Sequence, residues 1–253
     1  MGKSLFIAEK PSVAQQFAQV LKVSGRQGAG YLENADYVVT WCVGHLVTMS
    51  YPEAYDEKYK KWSLETLPFL PKEYRYEVIK DVQKQFDIVK GLLTRPDVDT
   101  IYVCTDSGRE GEYIYRLVAQ MAGVSDKTQK RVWIDSQTEE EILRGIREAK
   151  DEADYDNLAA SAYLRAKEDY LMGINFSRAL TLKYGPAITN YRRSKWTVIS
   201  VGRVMTCVLG MVVRREREIR EFVKTPFYRV IGTFAAGSKI GRASCRERVL
   251  RLV

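Results

Sequence analysis

The feature that most constrains the fold is the stretch 101–112, IYVCTDSGREGE, in which a short apolar run leads directly into an acidic turn. A short continuous apolar run bounded by polar residues and glycine is typical of a buried strand in a parallel sheet. Apolar residues then recur at helical spacing over 113–121 and predict a helix. The acids Asp106, Glu110 and Glu112 therefore lie between a strand and a helix, where open α/β sheets bind ligands.

The acidic turn has two interpretations. Three carboxylates within seven residues repel each other unless a cation lies among them, and Arg109 cannot neutralise all three. A Mg²⁺ ion would bind one or two of these carboxylates and keep water or phosphate oxygens as its other ligands. Alternatively, Glu110 and Glu112 favour the start of a helix through its dipole. This stretch alone leaves both interpretations open.

A second acid stands at an earlier junction of the same kind. The apolar run 4–8 ends at Glu9, and Pro11 stands where a first helical residue is expected. If the two strands are neighbours in a parallel sheet, Glu9 and Asp106 converge at one edge of it. The alternative is that Glu9 and Lys10 form an exposed pair in a turn.

The first half of the chain alternates between strand and helix patterns. Further strands are predicted over 36–43 and 131–134, and Thr138 with Glu141 predicts a capping box at the start of a helix. This alternation up to about Lys150 predicts an α/β fold, a parallel sheet with helices on its faces.

From residue 154 onward the pattern becomes helical without strands. A long helix is predicted over 154–184 and is expected to break at 185–186, a Gly-Pro pair. A second helix is predicted through Arg220, with Ser200 as its cap. The amide end of that helix could bind a phosphate and Arg203 could reinforce it, although Arg203 could equally be an ordinary surface cation.

Composition and charge suggest a soluble protein with a polyanionic partner. The 253 residues are 45% hydrophobic and 28% charged, and the formal net charge is +8. No apolar run is long enough to cross a bilayer and no signal peptide is visible, so we expect a cytoplasmic location and no membrane partner. The four cysteines are far apart and predict neither a zinc site nor disulfides. The single histidine, His45, suits either a structural or a catalytic role.

The basic residues cluster in the second half of the chain. Between 183 and 220 there are nine lysines and arginines and only two acids, which is an electrostatic footprint for phosphates. Earlier in the chain, Trp62 follows Lys60 and Lys61, and such a mixture can stack bases and hold a strand backbone. Equally, Trp62 could pack a long loop onto the sheet.

With these stretches laid out, the chain resembles the type IA DNA topoisomerases, closest to the topoisomerase III group. The resemblance covers residues 5–235, and six motifs in order make it specific. They are FIAEKPSVA at 6–14, VTWCVGHL at 39–46, TDSGREGE at 105–112, WIDSQTEEEI at 133–142, DYLMGINFSRALT at 169–181 and SVGRVMT at 200–206.

The resemblance implies a fold and a domain order. It implies a Toprim domain over 1–150, with a four-stranded parallel sheet and flanking helices. A helical DNA-binding segment is expected over 151–221 and the start of a strand-rich domain over 222–237. The tail 238–253 has no assignment and no partner element, so the strand expected over 225–235 would leave an unpaired edge.

The resemblance also implies site residues. Glu9 and Lys10 are expected to be catalytic, and Glu9, Asp106 and Glu110 are expected to hold Mg²⁺ while one DNA strand is cut by a tyrosine and resealed. The expected contacts with single-stranded DNA are Trp62, Tyr170, Arg178, Lys183, Ser200, Val201, Gly202, Arg203, Val204 and Met205.

The chain departs from the family pattern in ways that bear on activity. Gly108 replaces a second aspartate that usually ligates metal, Met205 replaces a glutamine, and Cys207 replaces a proline. The nucleophilic tyrosine is expected beyond residue 253, so residues 1–253 should bind DNA without cutting it.

The whole enzyme would carry out ATP-independent, Mg²⁺-dependent cleavage, strand passage and religation in the bacterial nucleoid, with any helicase partner unidentified. The alternatives are a single-stranded DNA-binding module without catalysis and a Toprim nuclease or primase.

Overall fold

The computed structural model describes residues 2–24, 30–224, 226 and 229–246. The chain divides into two compact units, Met1–Gly202 and Arg203–Val253. No helix in the described ranges is both long enough and apolar enough to cross a membrane.

The first unit contains eight described strands and five described α-helices. The strands are β1 Lys3–Ala8, β2 Tyr31–Glu33, β3 Tyr37–Trp41, β4 Val47–Met49, β5 Tyr76–Val78, β6 Val98–Cys104, β7 Thr128–Arg131 and β8 Lys150–Asp151. The helices are α1 Pro11–Val20, α2 Gln83–Leu93, α3 Arg109–Ala122, α4 Glu139–Arg147 and α5 Asp156–Arg192. Short 3₁₀ turns occupy Pro52–Ala54, Glu57–Tyr59, Leu64–Thr66, Lys80–Val82 and Glu152–Tyr155.

The main sheet has six strands in the order β2-β3-β1-β6-β7-β8. Its inner strands β3, β1, β6 and β7 are parallel, and the two edge strands β2 and β8 pair antiparallel. The remaining pair, β4 and β5, forms a small antiparallel sheet. The predicted α/β class with a four-stranded parallel sheet is therefore confirmed, with two short antiparallel strands added at its edges.

Helices cover both faces of this sheet, which explains why the buried parts of β1, β3 and β6 are mostly apolar. Leu5 and Ile7 of β1 pack on one face with residues of α2 and α3, whereas Phe6 and Ala8 pack on the other with residues of α1 and α4. Alternate side chains of a strand point to opposite faces, so a strand covered on both sides needs apolar residues at every position.

The fourth parallel strand lies three residues earlier than predicted. β7 is Thr128–Arg131 and pairs with Thr100–Val103, whereas the prediction was 131–134. The prediction followed the apolar residues after Arg131, but the residues of β7 that pair with β6 are polar.

Two predicted helix caps, at Thr138 and Ser200, were wrong. Thr138 precedes α4 but makes no capping hydrogen bond, and Glu141 instead accepts from the amide of Asp135 at 3.2 Å. Ser200 is not the residue before the second helix, because α6 begins at Arg203.

The predicted break at 185–186 was also wrong, because α5 continues through Pro186 to Arg192. A proline in a helix removes one hydrogen bond, and packing along the helix offsets that loss. The amide of Ile199 donates to Thr181 Oγ1 at 2.9 Å. A Cβ atom on Gly185 would lie 3.2 Å from the carbonyl of Thr197, so this position favours glycine.

The second unit contains α6 Arg203–Arg220 and an antiparallel hairpin of β9 Arg229–Ala236 and β10 Lys239–Arg246. The expectation that the tail after residue 237 has no partner was wrong for 239–246, because these residues pair with β9. Gly237 has a φ of 62°, which suits the tight turn that joins the two strands. Thr225, where the strand was expected to begin, lies outside the described residues.

Candidate active site

Glu9 and Asp106 meet at the carboxyl edge of the main sheet. β1 and β6 are parallel neighbours in which Ala8 pairs with Cys104, so the residues that follow each strand emerge side by side. The amide of Asp106 donates to Glu9 Oε2 at 3.4 Å. Glu9 is 8% exposed. The sequence-based expectation that these two residues converge is therefore met in the geometry.

Lys10 lies between the two carboxylates. Its Nζ is 3.3 Å from Asp106 Oδ2 and 3.4 Å from Glu9 Oε1. The hydrogen bond to Asp106 and the charge of Glu9 raise the pKa of Lys10 above its ordinary value. Because Lys10 and Asp106 are both half exposed, their pair contributes little to stability and stays accessible to a phosphate.

Glu110, which was expected to hold the metal ion with Glu9 and Asp106, contacts His45. Its Oε1 lies 2.9 Å from His45 Nε2, and His45 follows β3, the strand on the other side of β1. In the described part of the chain, no group of three or more histidine, cysteine, aspartate and glutamate side chains is arranged to hold a metal ion. Glu9 and Asp106 alone supply two carboxylates, which is the number that Mg²⁺ commonly takes from a protein.

Two glycines shape the acidic loop. Gly108 has extended backbone, and a Cβ atom there would meet nothing within 4 Å. There is therefore room at this position for the aspartate side chain that the family pattern has. Gly111 is the opposite case, because a Cβ atom there would lie 2.1 Å from the carbonyl oxygen of Asp106. Gly111 was not among the residues predicted from the sequence, although glycine is the usual residue where backbone must approach another group closely.

A cleft of about 330 Å³ adjoins Asp106. Ser107 forms one wall and is tied to the opposite wall by two hydrogen bonds, donating to the carbonyl of Ile134 at 2.8 Å and accepting from its amide at 3.0 Å. The cleft leaves no local signal in the sequence, because its two walls, 104–107 and 134–137, are distant in the chain.

Arg178 and Trp62 lie together on the first unit. The Arg178 guanidinium lies 5.2 Å from the centre of the Trp62 ring and donates to the carbonyl of Tyr59 at 3.0 Å. Arg178 is only 5% exposed, and burial lowers its pKa. Tyr170 similarly donates its hydroxyl to the carbonyl of Ser50 at 2.6 Å. Both α5 residues therefore tie the segment 50–62 to the helix.

The remaining expected DNA contacts are divided between the two units. In the first unit, Lys183 is exposed and lies near the Tyr184 ring. The amide of Val201 donates to Ser177 Oγ at 2.8 Å. Of its two neighbours in the chain, Ser200 is exposed and Gly202 is half-buried. In the second unit, the first three residues of α6 are exposed, namely Arg203, Val204 and Met205.

Comparisons with known proteins agree with this geometry. The family model described as the Toprim domain matches residues 4–136, and the one described as DNA topoisomerase matches residues 153–250. These matches lie on either side of residue 150, the expected domain boundary, and the second extends into the tail that had no assignment. The domain boundaries themselves stay a prediction.

Curated relatives are similar over most of this chain. The proteins named DNA topoisomerase 3 from Bacillus anthracis and Bacillus subtilis are 45% and 42% identical to it over 228 residues, which is 90% of the chain. The chain spans about 30% of the length of these relatives.

Proposed function

The chain belongs to the Toprim family, and from this premise we propose that it is the Toprim and adjoining DNA-binding part of a type IA DNA topoisomerase. The observation that carries the proposal is the meeting of Glu9, Lys10 and Asp106 at the carboxyl ends of two neighbouring parallel strands. The similarity to proteins named DNA topoisomerase 3 supports the same conclusion.

The reaction proposed for the whole enzyme transfers a DNA phosphate to a tyrosine hydroxyl. The P–O bond to tyrosine forms, the P–O bond to the 3′ oxygen of the DNA breaks, and religation reverses both changes. The attacking tyrosine hydroxyl loses a proton and the leaving 3′ oxygen gains one. Glu9 lies nearly buried beside the half-exposed Lys10, so its carboxylate can take up the first proton and, once protonated, its carboxyl group can deliver a proton to the leaving oxygen. The Lys10 ammonium can bind a phosphate oxygen and stabilise the charge that develops on it.

Mg²⁺ fits this site as a proposed cofactor. Glu9 and Asp106 would hold the ion, which would neutralise charge on the phosphate during the transfer. Because Gly108 supplies no carboxylate, we expect the site to bind Mg²⁺ weakly, with two protein carboxylates as ligands. Glu110, held by His45, is proposed to stand near this ion without being a direct ligand.

The proposed partner is single-stranded DNA. No aspartate or glutamate occurs from Tyr170 to Arg215, and this stretch carries most of the basic cluster. Trp62 offers a ring for base stacking, and we propose that Arg178 holds that ring in place. Lys183 and the residues 200–205 are proposed to contact the phosphates. The enzyme would act on nucleoid DNA in the bacterial cytoplasm.

The first experiment measures binding by the 253-residue chain. Its affinity for a fluorescent single-stranded oligonucleotide should fall linearly with the logarithm of salt concentration and should exceed its affinity for a duplex of equal length. Equal affinity for both forms would contradict the preference for single strands.

The second experiment tests catalysis in a longer chain that includes the nucleophilic tyrosine. It should relax negatively supercoiled plasmid with Mg²⁺ and without ATP, and Glu9→Gln should abolish relaxation. Glu77→Gln, which changes an exposed glutamate of β5, is the matched control. Relaxation at the normal rate by Glu9→Gln would refute the role of Glu9.

Gly108 favours a second candidate, a single-stranded DNA-binding module without catalysis, because it removes one expected metal ligand. That candidate predicts DNA affinity that is indifferent to both Mg²⁺ and Asp106→Ala. A Toprim nuclease or primase remains the third alternative, and the DNA topoisomerase match over 153–250 argues against it.

A further inference from the structure

An arginine is completely buried beneath the acidic loop. Arg131, the last residue of β7, is 0% exposed. Its guanidinium donates to four backbone carbonyls, those of Val103 at 3.0 Å, Thr105 at 2.8 Å, Asp106 at 2.7 Å and Val132 at 3.5 Å. The first three of these carbonyls belong to the end of β6 and to the loop that carries Asp106, and the fourth follows β7. A planar group with five donors can hold several carbonyls in fixed directions, which a lysine ammonium cannot do.

Glu112, the third acid of the turn, is the charge partner of this arginine. It is also 0% exposed, and its Oε2 lies 3.1 Å from Arg131 Nε. These two atoms form an ion pair without hydrogen-bond geometry, and neither has another hydrogen-bond partner. Burying two charges is costly, so a contribution to stability alone is a weak explanation for this pair.

The ion pair continues to the start of α5. Glu112 Oε1 accepts from Arg116 Nε at 2.9 Å, and the same guanidinium contacts the carboxyl groups of Glu152 at 3.1 Å and Asp156 at 2.8 Å. Glu112 is thus held between two arginines, and its position is fixed from both sides.

We propose that Arg131 is the positioning residue of the acidic loop and that Glu112 holds its guanidinium in place. The proposal rests on the proposed function, because it assigns a purpose to the exact placement of Asp106. By fixing the carbonyls of the two peptide groups that flank the Asp106 Cα, Arg131 sets the direction in which the Asp106 carboxylate faces Glu9 and Lys10.

The test uses amide hydrogen exchange of the metal-free 253-residue chain by NMR. The reporters are the amides of Asp106, which donates to Glu9, and Ile134, which donates to Ser107. In Arg131→Lys, both amides should exchange about tenfold faster relative to the amide of Cys42, which follows β3 and donates to the Ala8 carbonyl on the side of β1 away from β6.

The matched control is Arg144→Lys, the same substitution in an exposed ion-pair cluster on α4. It should leave all three reporters unchanged. If Arg131→Lys speeds all three amides equally, Arg131 only stabilises the fold, and the positioning role is refuted. Unchanged exchange at Asp106 and Ile134 would refute it as well.

A double variant covers the case in which Arg131→Lys fails to fold. Glu112→Met with Arg131→Met removes both buried charges together, which cores often tolerate. The folded double variant should still show the fast exchange at Asp106, and wild-type exchange there would overturn the proposal.

Mg²⁺ titration of the same samples separates this inference from the proposed function. Arg131→Lys should bind Mg²⁺ about tenfold more weakly than wild type. Absence of Mg²⁺ binding by the wild type would refute the metal part of the proposed function, while the exchange data would still decide the role of Arg131.

Discussion

Replacing Arg178 with alanine should destabilise the first unit without removing a phosphate contact. The guanidinium is buried between α5 and the segment 50–62, where it bonds the Tyr59 carbonyl and lies against Trp62. Its third contact, Glu53 at 3.7 Å, is a half-exposed carboxylate. The truncation would leave the Tyr59 carbonyl without this donor and the Trp62 ring without its support.

The magnitude follows from these three contacts. A hydrogen bond from a charged donor contributes about 1.5–3 kcal/mol, and a cation–π contact contributes about 0.5–1 kcal/mol. The Glu53 pair adds little because solvent screens it. The free energy of unfolding should therefore fall by about 2–4 kcal/mol in Arg178→Ala.

The assay pairs urea unfolding with DNA titration, and Lys183→Ala on the same helix is the matched comparison. Lys183 is exposed, so its loss should leave stability within about 0.5 kcal/mol of wild type. It should also reduce the slope of log DNA affinity against log salt concentration by about one, which corresponds to the loss of one phosphate contact. Arg178→Ala should show the opposite pattern, with lower stability and an unchanged slope.

The reverse result for Arg178 would refute this reasoning. If Arg178→Ala unfolds at the wild-type urea concentration while its salt slope falls by about one, the guanidinium contacts a phosphate directly. The burial of its side chain would then not describe the DNA-binding state.

Three further predictions concern the acidic loop and its supports. Burial, with the charge of Glu112 second, raises the pKa of Glu152 from its ordinary 4.5 to about 8, so the protonated carboxyl is favoured in the fold. Wild type should therefore lose stability relative to Glu152→Gln as pH rises between those values, and urea unfolding at about pH 5 and about pH 8.5 would measure the difference. A pH-independent difference would contradict the assignment. Gly108→Asp should raise Mg²⁺ affinity by roughly tenfold in calorimetry, since nothing fills the space beside this residue; unchanged affinity would show that the new carboxylate does not reach the ion. Gly111→Ala should lower the free energy of unfolding by about 1–3 kcal/mol in thermal melts, because its methyl group would overlap the Asp106 carbonyl; a wild-type melt would contradict that overlap.

The sheet and the meeting of its two acids could be predicted from the sequence. β1, β3 and β6 are buried on both faces, so they appear as apolar runs, and parallel neighbours bring the residues after them to one edge. The juxtaposition of Glu9 and Asp106 follows from that topology without knowledge of any side-chain conformation.

What the sequence concealed depends on contacts between distant residues. Arg131 stands at the end of a polar strand and gives no local sign that four carbonyls accept hydrogen bonds from it. Glu112 resembles Glu110 in the sequence, yet one is fully buried and the other exposed, because the helical period turns Glu112 toward the sheet. Pro186 similarly signals a helix end locally, and the helix passes through it because the following segment packs along α5.

The most direct test of the account is calorimetric titration of the 253-residue chain with Mg²⁺. Wild type should bind one ion, and Glu9→Gln and Asp106→Asn should each weaken binding by at least about tenfold, whereas Glu77→Gln should not. Wild-type affinity in both site variants would show that the two carboxylates do not share a cation and would contradict the central claim.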